Sequence, residues 1–317
     1  MTLALLHATV WGNAQLKAYA STQYGVPLEV WDFSNDFYTS SWNVSRATSA
    51  VVSTETGILT EVSVNEARLY GSGPERGLLL ETASSNISSA PSAPQTLSGV
   101  YKTGAASAVL SIVDDFAMQS AAGIASLTNG MAYHLDNTSG TSNARLALQQ
   151  TFDSTQSAWV ASAYLKATGQ VTVRTGYGAY PAIGVLPTDP PLSASAYTRF
   201  LRSKVQKNGG AYNLNDVLWI DVPAGNQVWA SLIQLEENQN DSSSIIPSTG
   251  IATQRAQETL ELAVAPGNYN VLVNFTDGNS QILSNQASTG LLTIAPENKI
   301  IEKVRLFLCS LKMEIEP

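Results

Sequence analysis

Few side chains in this sequence have reactive chemistry at a useful spacing. Two carboxylate pairs are adjacent, Asp114-Asp115 and Glu236-Glu237. Cleaving a glycosidic bond takes two carboxylates about 5 to 10 Å apart, one of them with a raised pKa. Neighbours on a strand point to opposite faces, so neither pair is a dyad by itself. Asp32 with Asp36, or Asp216 with Asp221, would need partners from elsewhere, and nothing in their spacing selects them. His7 lies near the start of the chain, and His134 sits in the alternating run Tyr133-His134-Leu135-Asp136. No Gly-x-Ser-x-Gly elbow accompanies either. A calcium site through His134, Asp136 and Asn137 lacks the alternate ligand positions of a binding loop. The sequence therefore predicts no catalytic residue, no metal site and no cofactor.

Saccharide binding has other needs: an aromatic platform for the apolar face of a pyranose, flanked by groups that hydrogen-bond its hydroxyls. Tyr177 and Tyr180 lie in the Gly- and Pro-rich loop Tyr177 to Pro191, and Tyr212 follows the turn Asn208-Gly209-Gly210. These three are the candidate glycan contacts, with Asn213 and Asn215 as polar partners. Trp159, Trp219 and Trp229 fall inside strand patterns and read as core.

The elements that would hold these groups are strands. Helical periodicity is confined to a short stretch, Ala8 to Tyr19, while the rest shows short β-branched and aromatic runs cut by Gly, Pro, Asn and Ser. Eight runs suit a two-sheet jelly roll. They are Ala108 to Val113, Ala132 to Leu135, Ala144 to Gln149, Ala158 to Lys166, Gln170 to Thr175, Tyr197 to Val205, Val217 to Val222 and Gln227 to Leu235. In the last, strict alternation puts Trp229, Ser231, Ile233 and Leu235 on one face. Ser84 to Ser98, rich in small residues with Pro91 and Pro94, reads as a linker or surface crossing. Near the C-terminus, Tyr269, Val271, Val273 and Phe275 share one face of a strand that runs into the hairpin signal Thr276-Asp277-Gly278-Asn279.

Composition narrows the partners. The 17 Lys and Arg against 25 Asp and Glu give a net charge of −8, which repels a phosphate backbone. Charged residues make up 13% of the chain, and 36 Ser with 27 Thr supply an uncharged, hydroxyl-rich surface in their place (count over). Nucleic acid is excluded as an expected partner. Cys309 is the single cysteine, so no internal disulfide forms. No apolar run reaches the roughly 18 residues that suggest a membrane helix. The opening Leu3-Ala4-Leu5-Leu6 has no basic residue before Lys17, and no signal peptide is expected.

Three segments resemble, in order, a family of bacteriophage virion proteins that carry a lectin-like jelly roll, the tail fibre, tail spike and head fibre proteins. The first is Trp31-Asp32-Phe33, Ser45-Arg46-Ala47-Thr48, Thr56-Gly57-Ile58-Leu59 and Asn65-Glu66-Ala67-Arg68-Leu69. Here Ala67 stands where the family favours proline and Leu69 where it favours an aromatic. The second is Arg76-Gly77-Leu78-Leu79-Leu80-Glu81 through Asn86-Ile87. The third is Trp229-Ala230-Ser231-Leu232-Ile233-Gln234-Leu235-Glu236 with Ile246-Pro247-Ser248-Thr249-Gly250 and Arg255. The resemblance implies a β-sandwich displayed on a virion, most often in a trimeric appendage contacting cell-surface glycans. It supplies no catalytic residue.

Together these readings predict an all-β chain in four parts: an N-terminal leader or anchor over 1–29, an extended β segment over 30–98, a jelly-roll carbohydrate-binding-like domain over 99–257, and a small C-terminal β domain over 258–317. The leader's Leu5, Leu6, Val10 and Trp11 are the expected anchor to other virion proteins. The expected function is non-enzymatic: a structural virion component that attaches to host glycans, assembled in the bacterial cytoplasm as a homotrimer, with no membrane insertion. A purely structural capsid or tail decoration protein and a polysaccharide depolymerase are the alternatives.

Overall fold

The fold is all-β, as runs of alternating β-branched and aromatic residues require. The structure, a computed structural model, describes residues 27–54, 56–71, 75–148, 159–175, 192–202, 218–237, 243–295 and 298–309. No described helix is long and apolar enough to cross a membrane. The chain divides into two compact units, the first within 1–46, 65–82 and 258–317, the second within 47–64 and 83–257. Strands are numbered along the chain.

The first unit holds β1 (Glu29–Asp32), β2 (Phe37–Tyr38), β3 (Trp42–Ser45), β6 (Leu69–Tyr70), β7 (Gly77–Leu80), β19 (Thr259–Phe275), β20 (Ser280–Ile294) and β21 (Lys299–Leu308). They form one eight-stranded sheet along the path β2-β1-β21-β19-β20, with β3 beside β19 and β7 beside β21. Tyr269, Val271, Val273 and Phe275 all face its core, as period two dictates. The segment expected to stand as a small C-terminal domain shares this sheet with strands from the N-terminal third, Glu29 pairing with Leu306 and Leu78 with Ile301. Three strands are barely enough for independent stability, and β1 and β7 supply the missing neighbours. Trp31 is fully buried there, its indole N–H donating to the Ser40 carbonyl at 3.0 Å.

Four charged side chains are buried together in this unit. Arg46 meets Glu258 at 2.5 Å, Arg68 meets Glu81 at 2.7 Å, and Arg68 also pairs with Glu258. The backbone N–H of Glu81 donates to the same Glu258 carboxylate at 2.9 Å. Burial opposes the charge on Arg68, but the hydrogen bond it donates to Glu258 and the charge of Glu81 outweigh it and raise its pKa. Arg46, Arg68 and Glu81 all belong to the segments that carried the family resemblance, and here they do structural work.

The second unit holds β4 (Ala50–Ser53), β5 (Leu59–Val62), β8 (Ser84–Asn86), β9 (Val100–Gly104), β10 (Val109–Asp114), β11 (Met131–Asp136), β12 (Ala144–Leu148), β13 (Trp159–Ala167) and β14 (Thr172–Thr175). It continues with β15 (Thr198–Arg202), β16 (Leu218–Val222), β17 (Gln227–Glu237) and β18 (Thr253–Arg255), and includes two short helices, α1 (Phe116–Ala121) and α2 (Ala125–Thr128). One sheet runs β10-β11-β17-β13-β15 with β8 and β18 at its margin, the other β14-β16-β12-β9. From β11 to β17 each successive strand changes sheet, the connectivity of a jelly roll. Leu135, Leu165 and Ile233 from one sheet and Leu146, Ile220 and Val222 from the other share one core.

Two expectations are corrected. Strict alternation in β17 fails at Leu232, whose φ of 49° marks a bulge opposite the register shift between Ser162 and Tyr164. Val228 and Ala230 fill the core before the bulge, Ile233 and Leu235 after it, and Trp229 and Ser231 turn away. The stretch read as a linker, Ser84 to Ser98, is instead partly interior, with Asn86, Ser88, Ala90 and Ser92 buried. Small side chains permit this close approach. Asn86 accepts from Leu235 N at 3.0 Å and donates to the Ile246 carbonyl at 2.8 Å, so its amide satisfies the backbone it displaces. Gly99 closes the stretch at φ 79°, where a Cβ would lie 2.2 Å from the Ser89 carbonyl oxygen.

Candidate functional site

In β16, Leu218, Ile220 and Val222 point into the sandwich, so Trp219 and Asp221 must point out. In β12, Ala144, Leu146 and Leu148 point in, which leaves Arg145 and Ala147 outside. The register places Arg145 opposite Asp221 on one side and Thr103 on the other, and Ala147 between Trp219 and Tyr101. Thr172 of β14 also pairs with Asp221. Cross-strand neighbours on one face are close enough to interact, and they do. Arg145 Nε donates to Asp221 Oδ1 at 2.8 Å, and the guanidinium carbon sits 4.6 Å from the centre of the Trp219 ring.

This outer face joins a planar cation, an indole and a carboxylate, with the hydroxyls of Thr103, Thr172 and Tyr101 in register beside them. The carboxylate holds the guanidinium in place, and the cation–π contact orients it. The Arg145 side chain is 34% exposed and that of Asp221 13%, so both can still reach a ligand. Trp219 is only 8% exposed, and its buried indole N–H has no hydrogen-bond partner. A buried donor left unpaired is unusual and marks this position. The array suits a neutral, hydroxyl-rich ligand: donors and acceptors lie around an aromatic, with no concentration of one charge.

The outer face of the larger sheet carries a second cluster. Lys166 Nζ lies 2.5 Å from Asp115 Oδ2, which also accepts from the Tyr197 hydroxyl at 2.8 Å. Trp229 is flanked by its strand neighbours, His134 stacked on it at 4.5 Å and Lys166 Nζ 4.2 Å from its ring. Both neighbours contact the indole, which leaves little aromatic face for a ligand. Burial, then the hydrogen bond to Asp115, raises the Tyr197 pKa far above its usual range, and burial lowers that of His134. Val51 and Leu59 from β4 and β5, with Ile124 between the helices, pack over this face. The cluster is therefore part of an interior, its charges paired to one another.

Asp216 lies outside the described residues, and five of the other carboxylates singled out by sequence are likewise engaged. Asp115 binds Lys166, Asp221 binds Arg145, Asp32 binds Lys303 at 2.5 Å, and Asp36 binds Arg76 at 2.5 Å. Glu236 is fully buried and accepts from Ser84 Oγ at 2.5 Å, Ser243 N at 3.0 Å and Gln234 Nε2 at 2.8 Å. Among the described residues, no group of three His, Cys, Asp or Glu side chains is placed to hold a metal ion.

The residues chosen from sequence as glycan contacts, Tyr177, Tyr180, Tyr212, Asn213 and Asn215, lie outside the described residues, as do the anchor residues Leu5, Leu6, Val10 and Trp11. Trp219 and Trp229, read as core, face away from the sandwich core. The signal for the outer platform was present in Leu218-Trp219-Ile220-Asp221-Val222: a strand that turns Asp221 outward turns Trp219 outward with it. No protein-family model matches the chain, and no curated protein matches it.

Proposed function

We propose that this chain is a structural component of a bacteriophage virion, a tail or head appendage, that uses its sandwich to contact host-surface saccharides without cleaving them. Two lines support the reading: the three ordered segments that resemble virion fibre proteins, and the jelly-roll connectivity between β11 and β17. The observation that carries saccharide contact is the Arg145, Trp219 and Asp221 platform, a cation on an indole tied to a carboxylate and bordered by hydroxyls. The segments with the expected tyrosines leave β14 and enter β16, which places them in sequence next to the two strands carrying Thr172 and Trp219.

Binding of the purified chain to host lipopolysaccharide or to an array of surface glycans tests this. The expected result is saccharide-dependent retention that Arg145→Ala abolishes. One observation favours a second reading, a decoration protein without saccharide binding: the low exposure of Trp219 limits ring stacking. That reading predicts no retention by any glycan. Release of new reducing ends from host polysaccharide would instead put a depolymerase first.

A further inference from the structure

In the first unit, the turn between β1 and β2 and the strand β3 after it bring three aromatic rings together. Phe33 is fully buried and forms their base. Trp42 meets it edge to face, with centroids 5.0 Å apart and planes at 86°. Tyr38 lies 5.6 Å from Phe33 and 5.3 Å from Trp42, tilted by 50° and 54°. Both Tyr38 and Trp42 are only partly buried. Tilted and edge-on contacts leave ring faces open that parallel stacking would cover, as His134 covers Trp229. The indole N–H of the neighbouring Trp31 is taken by the Ser40 carbonyl, whereas that of Trp42 has no acceptor among the described residues and is not enclosed.

Polar groups border these rings. The Tyr38 hydroxyl donates to Asp36 Oδ1 at 3.1 Å, and Arg76 Nη1 donates to Asp36 Oδ2 at 2.5 Å. A carboxylate has about four acceptor positions, so these two bonds leave Asp36 able to accept more, and its side chain is 56% exposed. The turn that carries it is held from behind. Asp32 accepts from Ser34 N at 3.2 Å, Ser34 Oγ at 2.6 Å and Asn35 Nδ2 at 3.3 Å, and is itself tied to the buried Lys303. A turn fixed in advance lowers the ordering cost of binding.

The geometry points to a second saccharide site, in the first unit and outside the jelly roll, that takes one neutral hexopyranose residue. The apolar face of the sugar rests on Tyr38 and Trp42, one of its hydroxyls donates to Asp36, and another accepts the indole N–H of Trp42. Charge selects a neutral ring. Asp36 and Arg76 cancel one another, and the net −8 of the chain disfavours an acidic sugar. No residue of this site belongs to the Arg145 and Trp219 platform, so it does not depend on whether that platform binds.

Nitrogen–proton correlation spectra of the full chain test it, because each of its 6 Trp gives one indole signal and Trp42→Phe and Trp219→Phe identify two of them. The methyl glycosides of glucose, galactose and mannose are titrated separately to about 50 mM, enough to saturate a site with a millimolar dissociation constant. The expected result is a saturable shift of the Trp42 signal with at least one of them. Asp36→Gly removes the carboxylate at a φ of 51°, which glycine adopts freely. It should raise the half-saturating concentration about tenfold. A Trp42 signal that none of the three glycosides moves overturns the proposal, and so does equal half-saturation in the variant. Movement of the Trp219 signal alone supports the sandwich platform and overturns this site, while movement of the Trp42 signal alone supports this site and counts against the platform. Should Asp36→Gly fail to fold, the wild-type titration decides: a saturable shift at Trp42 supports the site and its absence refutes it.

Discussion

In the first unit Arg46 and Arg68 are wholly buried against Glu258 and Glu81, whereas in the second Arg145 is about a third exposed above Trp219 with Asp221 beside it. The residue type and the carboxylate partner are the same, and the surroundings differ. Removing two charges from water costs several kcal/mol per ion, so the buried group persists only because each charge has its partners. Arg145 avoids most of that cost and keeps donors free of full burial. The buried arginines belong to architecture, whereas the one that is a third exposed still reaches solvent.

Glu258→Gln should break the comparison hardest. It leaves two buried guanidinium groups short of a counter-charge, and urea unfolding should show a loss of about 3 to 5 kcal/mol. A loss below about 1 kcal/mol would mean that the buried charges are as dispensable as surface ones.

The second test concerns the cluster under β4 and β5. His134 has its pKa lowered by burial, so the unfolded chain takes up the proton first as pH falls. The unfolded state then binds more protons, and stability must fall with pH, beginning near the ordinary value of 6.5 and ending below the folded value. The charged groups facing His134 are Asp136, Lys166 and Asp115, and hydrogen bonds from Thr138 lower the pKa of Asp136, away from that window. Urea midpoints measured from pH 7.5 down to about pH 5 should decline for wild type and decline less for His134→Gln. Equal slopes would remove His134 as the cause.

Arg145→Ala sharpens the contrast from the other side. Its stability change should stay within about 1 kcal/mol, since exposed ion pairs and cation–π contacts contribute little, while saccharide retention is lost. Smallest of all should be Arg76→Ala. Its partner Asp36 is 56% exposed, and thermal unfolding should register about 0.5 kcal/mol or less.

The sandwich was largely legible in the sequence. Each of the eight strand runs corresponds to one of β10 to β17, because each is a short apolar or β-branched run bounded by turn residues. The hairpin joining β19 to β20 was equally clear at Thr276 to Asn279. Features that depend on distant partners were not. The bulge at Leu232 leaves no local mark, and it reverses the faces of β17. Glu258 stands just past the expected domain boundary, and only the fold brings Arg46, Arg68 and Glu81 to it. The buried Ser and Ala of 84–98 have the composition of a linker, and their interior position comes from Asn86 and Ser248 bonding to backbone that sequence cannot locate. The site was the least legible, since Arg145 and Trp219 meet across two strands far apart in the chain.

The way the units interleave has a consequence for synthesis. As the polypeptide leaves the ribosome, β1, β3 and β7 emerge before the sandwich strands, yet the strands they pair with, β19 and β21, come after them. The sandwich segment 83–257 can collapse in the meantime, because its sheet partners lie mostly within that stretch. Until β19 and β21 emerge, Trp31, Leu78 and Leu80 have no sheet to enter, and early apolar strands without partners invite wrong pairing. A premature stop before β19 should therefore leave β1 to β3, β6 and β7 without their sheet while the sandwich is complete, and such a fragment would be a client for chaperones.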